Sequence, residues 1–159
     1  MTAHFPPDRF DCARPPDSAA PERFRAANAG AAVFIRQKSG GHAMLAVAPR
    51  RIVLTVAGSI GSEHIVGVLR DAEVAARLGS DAFHALINLA DYSASVDWQD
   101  IQAIREVMPK GASRSNKNAY VVRNSFYAMV AKITGVMFPQ TECAAFTRES
   151  EARAWLGWN

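Results

Sequence analysis

The segment IVLTVAGSIGSEHIVGVLRDAEVAARLGSDAFHALINLA, Ile52–Ala90, decides the fold. Its first six residues, Ile52–Ala57 (IVLTVA), are β-branched and nearly continuously apolar, the pattern of a strand buried on both faces. Gly58 and Gly61 punctuate the chain there. Ser62–Leu78 then carries Ile65, Leu69, Ala72 and Ala76 on one helical face, with Arg70, Asp71, Glu73 and Arg77 mainly on the others. Gly79 stands where a helix-ending glycine is expected. Ala85–Ala90 (ALINLA) repeats the strand pattern. Strand, helix and second buried strand make one βαβ unit, which predicts parallel pairing.

The alternation continues toward the C-terminus. Asp91-Tyr92-Ser93-Ala94-Ser95 leaves the second strand, and Ser95 or Asp97 can cap a helix bearing Trp98, Ile101, Ile104, Arg105 and Met108. Pro109 and Gly111 stop it, and a basic, serine-rich loop spans Lys110–Lys117. Ala119–Arg123 (AYVVR) reads as the third strand. Asn124 or Ser125 caps a helix with Phe126, Met129, Val130 and Ile133, ended by Gly135. Cys143–Phe146 is a short fourth strand, and Thr147 caps a last helix whose Ala152, Trp155 and Leu156 face inward. Four successive βα units predict an α/β domain with a mostly parallel sheet, right-handed crossovers and flanking helices.

Upstream the pattern changes. Ala31–Gln37 (AAVFIRQ) reads as a strand, Lys38–Gly41 as a turn and Met44–Ala48 as an antiparallel return, giving an N-terminal hairpin. Residues 1–28 hold five of the eight prolines and no sustained apolar periodicity, so they read as a disordered Pro-rich tail before a single domain at 29–159. Met1 and Met44 are both candidate translation starts.

Composition narrows the function. At 159 residues, 49% hydrophobic and 21% charged, the chain can bury a real core without staples. Two cysteines, Cys12 and Cys143, exclude a disulfide framework and a cysteine-rich zinc module. There is no apolar run long enough for a membrane span and no signal-peptide pattern, so a cytoplasmic setting is expected. The net charge of +3 is too small for bulk nucleic-acid binding, and no nucleic-acid motif is present. Lys110, Arg114, Lys117, Arg123 and Lys132 form a candidate basic patch, with Glu106 the one acid between Arg105 and Lys132. Such a patch suits an acidic partner, a phosphate or a lipid headgroup, although a solvated loop and helix edge is the favoured reading. Peripheral membrane contact is the less favoured use.

Chemistry-bearing constellations are sparse. Gly58–Ser62 lies at a strand-to-helix turn but lacks the GKS or GKT ending of a phosphate loop. His4, His42, His64 and His84 form no metal pair: the first two fall in tail or turn, His64 in a first helical turn and His84 at the start of a strand. Cys143 reads as a buried, inert thiol, and no serine sits in a nucleophile elbow. No cofactor is expected. Ligands of open α/β sheets bind beyond the carboxyl ends of the strands. The loops there present Ser59, Ser62, Asp91, Tyr92, Ser93, Ser95, Asn124 and Ser125, a hydroxyl-rich rim suited to binding.

Four stretches, RIVLTVAGSI (Arg51–Ile60), ALINLADYSAS (Ala85–Ser95), AYVVRNSFYAMV (Ala119–Val130) and FTRESEARAWL (Phe146–Leu156), resemble the SpoIIAA-like (STAS-like) family of small bacterial α/β domains. The similarity runs over roughly Met44 to Trp158. It implies regulatory or binding modules: anti-sigma-factor antagonists switched by serine phosphorylation, or ligand carriers like the CRAL-TRIO lipid-transfer proteins. The antagonists carry their serine in an Asp-Ser-Ser-Gly-like stretch. Here the matching stretch is Ser95-Val96-Asp97-Trp98-Gln99-Asp100, without the serine pair and glycine, leaving Ser93 and Ser95 nearby. A phosphate there would gain from the helix N-terminus but meet Asp91, Asp97 and Asp100.

The expected function is a non-enzymatic domain that binds a protein partner or small ligand. A carrier of an apolar or lipid ligand is the alternative, with Trp98, Ile101, Met108, Phe126, Tyr127, Met129 and Met137 as lining; an ordinary core is the favoured reading of the same residues at helical spacing. A phosphorylation-switched antagonist with an incomplete motif is the other alternative.

Overall fold

A computed structural model describes residues 17–74, 84–107, 116–123, 128, 132, 136 and 141–158. Six strands form one sheet in sequence order: β1 (Ala32–Lys38), β2 (Gly41–Ala48), β3 (Arg51–Gly58), β4 (His84–Tyr92), β5 (Asn116–Val121) and β6 (Thr141–Phe146). The described helices are α1 (Ala20–Ala27), α2 (Ser62–Val74), α3 (Trp98–Val107) and α4 (Glu149–Leu156). β1, β2 and β3 pair antiparallel, and β3 to β6 pair parallel. The expected N-terminal hairpin and parallel α/β sheet are both present.

The sequential order explains the layering. Each parallel step moves one strand in the same direction, so right-handed crossovers place every connecting helix on one face. Accordingly α2 and α3 pack on the same side, and Ala128, helical in the next connection, joins their core. That core holds Leu45, Val47, Ile52, Leu54 and Val56 from the sheet against Ile65, Val68 and Leu69 from α2. α4 follows the last strand and has no crossover to complete; it covers the opposite face with α1. There Met44, Ala46, Val53, Leu86, Ala119 and Val121 meet Phe24, Ala152, Leu156 and Trp158. Alternate residues of β2 and β3 thus serve opposite cores, which is why both strands are nearly continuously apolar.

Three expectations need correction. Residues 20–27, placed in the disordered tail, form α1. Pro21 lies in the first turn, where its missing N–H costs nothing, and Phe24 is buried. β5 begins at Asn116 rather than Ala119, so Lys117 lies in a strand and not in the preceding loop. The N-cap of α4 is Arg148, with no side-chain cap bond, so Thr147 does not cap it; Gly157 ends it in the left-handed region at φ 74°. Residues 1–16, Gly79, Pro109, Gly111 and Gly135 lie outside the described residues.

Candidate functional site

The carboxyl ends of β3, β4 and β5 converge with the β1–β2 turn, and close backbone approach builds this rim. Gly41 pairs with Gly58, and a Cβ on Gly58 would stand 2.1 Å from the Gly40 carbonyl oxygen. Gly58 also adopts φ 79°, so glycine is required twice over. The Ser59 N–H donates to the Gly40 carbonyl at 2.9 Å, and the Ser93 N–H to the Gly58 carbonyl at 3.0 Å. Three loops are thereby tied into one surface.

An irregularity in β4 aims the next residues. Thr55 pairs with Asn88 but Ala57 pairs with Asp91, so β4 carries one extra residue. Asn88 pins this bulge: its Oδ1 accepts the Ala90 N–H at 3.0 Å, while its Nδ2 donates to Glu149 Oε2 at 3.1 Å. The extra residue breaks the alternation. Ala90 packs with the α1/α4 core, whereas Tyr92 packs with the α2/α3 core. Tyr92 is buried, and its hydroxyl donates to the Ile60 carbonyl at 3.0 Å, bracing the β3–α2 turn.

The N-termini of α2 and α3 meet beside it. Asp97 caps α3: its Oδ1 accepts the Asp100 N–H at 2.9 Å, and Asp100 Oδ2 accepts the Asp97 N–H at 2.9 Å. This is a reciprocal capping box with aspartate at both positions. The Ser62 hydroxyl donates to the other oxygen of Asp100, joining the two helices. The Asp97 N–H, and after it the Ser62 hydroxyl, hold the Asp100 carboxyl below its ordinary pKa. Asp91 pairs with Arg123 at 3.2 Å, but both side chains are exposed, so the pair adds little stability.

The rim expected from the sequence is therefore assembled in part. Ser59, Ser62, Asp91, Tyr92, Ser93 and Ser95 come together, while Asn124 and Ser125 lie outside the described residues. Tyr92 and Ser62 are structural, whereas Ser59, Ser93 and Ser95 are exposed. Of the candidate basic patch, the described residues Arg123 and Lys117 lie at opposite ends of one strand. Arg123 lies at the carboxyl end of β5 and Lys117 near its amino end, about 20 Å away along the strand. Lys132 is exposed, and Lys110 and Arg114 lie outside the described residues. Of the expected apolar lining, Trp98 is instead exposed, at 53%, and Ile101 is half-buried. Met108, Phe126, Tyr127, Met129 and Met137 lie outside the described residues.

Sequence reasoning missed His42, read as a turn residue. It lies in β2, buried at 6% exposure, where desolvation lowers its pKa against opposing fields from Asp17 and Asp91. The signal was present in its β-forming neighbours, Ala43–Val47. Cys143 is half-buried, and burial raises its thiol pKa. Among the described residues no group of three or more His, Cys, Asp or Glu side chains is placed to hold a metal. No helix among them is long and apolar enough to cross a membrane.

A sequential α/β sheet with its polar rim at the carboxyl strand ends defines the class of small STAS-like domains. Residues 51–157 match the family model described as SpoIIAA-like, well over half of the chain, and the protein belongs to that family. Among solved structures it is similar to an uncharacterised protein with a SpoIIAA-like fold from Shewanella loihica PV-4. The two are 17% identical, the match covers 80% of this chain and 94% of that one, and the TM-score is 0.51. No curated protein matches the chain.

Proposed function

We propose that this protein is a non-enzymatic binding domain whose carboxyl-end rim docks a protein partner, with Trp98 as the anchor. One observation carries the reading: Trp98 stands 53% exposed in the first turn of α3 while the acids beside it, Asp97 and Asp100, are committed to the capping box. The capping box holds the turn that presents the indole, and an exposed tryptophan is the residue type that dominates protein interfaces. Exposed Ser93, Ser95 and Gln99 provide a polar border. The hydroxyls and carboxylates already bonded within the rim support binding rather than turnover.

Phosphorylation of Ser93 or Ser95 belongs to the same reading only as a regulator of docking. Asp91, Asp97 and Asp100 would repel the added charge. A lipid or other apolar ligand is the competing occupant, although exposure of Trp98 counts against its serving as pocket lining.

The test places a photo-crosslinking amino acid at position 98, and in a control at Gln102, in the protein's own cells. Any partner captured from position 98 is then purified and titrated with the wild type and Trp98→Ala. Selective capture and at least about tenfold weaker binding by the variant are expected for a central aromatic anchor. Equal capture at both positions, or unchanged affinity, overturns the proposal. A lipid-sized adduct in the native intact mass, lost on denaturation, favours the carrier instead.

A further inference from the structure

The amino ends of the parallel strands carry a second polar surface, opposite the rim. Pairing register sets Arg51 of β3 beside His84 of β4, His84 beside Lys117 of β5, and Lys117 beside Glu142 of β6. Strands lie about 4.8 Å apart, so Arg51 and Lys117 are about 10 Å apart at the backbone with the imidazole between them. The residues two places further along, Val53, Leu86 and Ala119, all belong to the α1/α4 core, so the row lies on that face.

Two tryptophans hold the cations down. Lys117 Nζ is 4.7 Å from the Trp155 ring centroid, and the Arg51 guanidinium is 5.3 Å from that of Trp158. Arg50, left-handed at φ 61°, adds a third cation, and its carbonyl accepts the His84 N–H at 3.1 Å. His84 is oriented as a donor. Its Nδ1 accepts the Lys117 backbone N–H at 3.1 Å, which leaves the ring proton on Nε2, where no described residue accepts it. Among the described residues, the carboxylate paired with these groups is Glu142, 3.9 Å from Lys117 and largely exposed. Burial, and then the fields of Lys117 and Arg50, lower the His84 pKa.

We propose that Arg51, His84 and Lys117, with Arg50 beside them, form a binding site for a phosphate group. A phosphomonoester offers about two negative charges and three acceptor oxygens, enough to meet two flanking cations and the imidazole N–H together. A carboxylate, with one charge and two coplanar oxygens, matches fewer of these donors. The phosphate belongs either to a soluble phosphomonoester or to a lipid headgroup. The site is independent of the docking reading, since it lies at the other end of the sheet.

The experiment titrates the full chain with glycerol 1-phosphate at constant ionic strength, following the His84 and Trp155 ring signals by NMR. A parallel arm uses vesicles of phosphatidylcholine with and without phosphatidic acid. Saturable shifts at both rings are expected with the phosphate and not with chloride. Arg51→Gln and Lys117→Gln each weaken binding about fivefold, the scale of one exposed ion pair, and Lys117→Arg restores it. Glu142→Gln tightens binding, because the competing carboxylate is gone. Binding of both forms assigns a soluble ligand; binding of vesicles alone assigns a headgroup. Shifts that chloride reproduces, or that survive Arg51→Gln and Lys117→Gln, overturn the site. Trp98→Ala leaves this titration unchanged, which separates failure here from failure at the rim.

Discussion

Asn88 shows how much one side chain decides. Its amide closes the β4 bulge and reaches α4, and the bulge turns Tyr92 toward Ile60. Asn88→Ala removes both bonds and should destabilise the fold by about 1–3 kcal/mol in urea unfolding. It should also shift the Tyr92 ring signals. His42 makes a pH-dependent contribution. Its folded pKa is lowered, so the unfolded chain takes up a proton first as pH falls. Stability should therefore be flat above the unfolded histidine pKa of about 6.5 and decline below it toward the folded value. His84 adds a slope of the same sign. Comparing unfolding at mildly alkaline and mildly acidic pH, His42→Leu should show a smaller loss than the wild type.

At the scale of the element, legibility followed the source of the signal. β3 and β4 are visible in sequence because burial on both faces leaves mostly apolar residues along Ile52–Ala57 and Ala85–Ala90. α1 was hidden because Pro21 is a breaker inside a helix and acceptable in its first turn; only the boundary distinguishes the two. The start of β5 was hidden because Asn116, Lys117 and Asn118 are poor strand formers, overridden by pairing with β4 and β6. The row of Arg51, His84 and Lys117 crosses three strands and has no signature in any one of them. The Asp97 cap was legible, but its partnership with Ser62 was not, since it joins residues on different helices. Asp97→Ala should cost about 0.5–2 kcal/mol, measured as a lower unfolding midpoint, whereas Asp97→Asn should cost less.

For the whole molecule, the sheet acts as one partition between two cores. Leu69 and Leu156 lie on opposite sides of it and are both nearly inaccessible. Replacing either by alanine should cost about 2–5 kcal/mol. In both variants fluorescence and far-UV circular dichroism should report the same single transition, because β2 and β3 contribute side chains to both cores. Separate transitions would show that the faces melt independently.

The position of α4 has a further consequence for birth at the ribosome. The side of the sheet covered by α2 and α3 is drawn from the middle of the chain and can close during synthesis. The other side waits for Ala152, Leu156 and Trp158, which follow all six strands in chain order. Until they emerge, Met44, Val53, Leu86 and Val121 lack their C-terminal cover. The nascent domain is thus one-sided even after its whole sheet has emerged, and the interval before α4 follows is when its aggregation hazard is greatest.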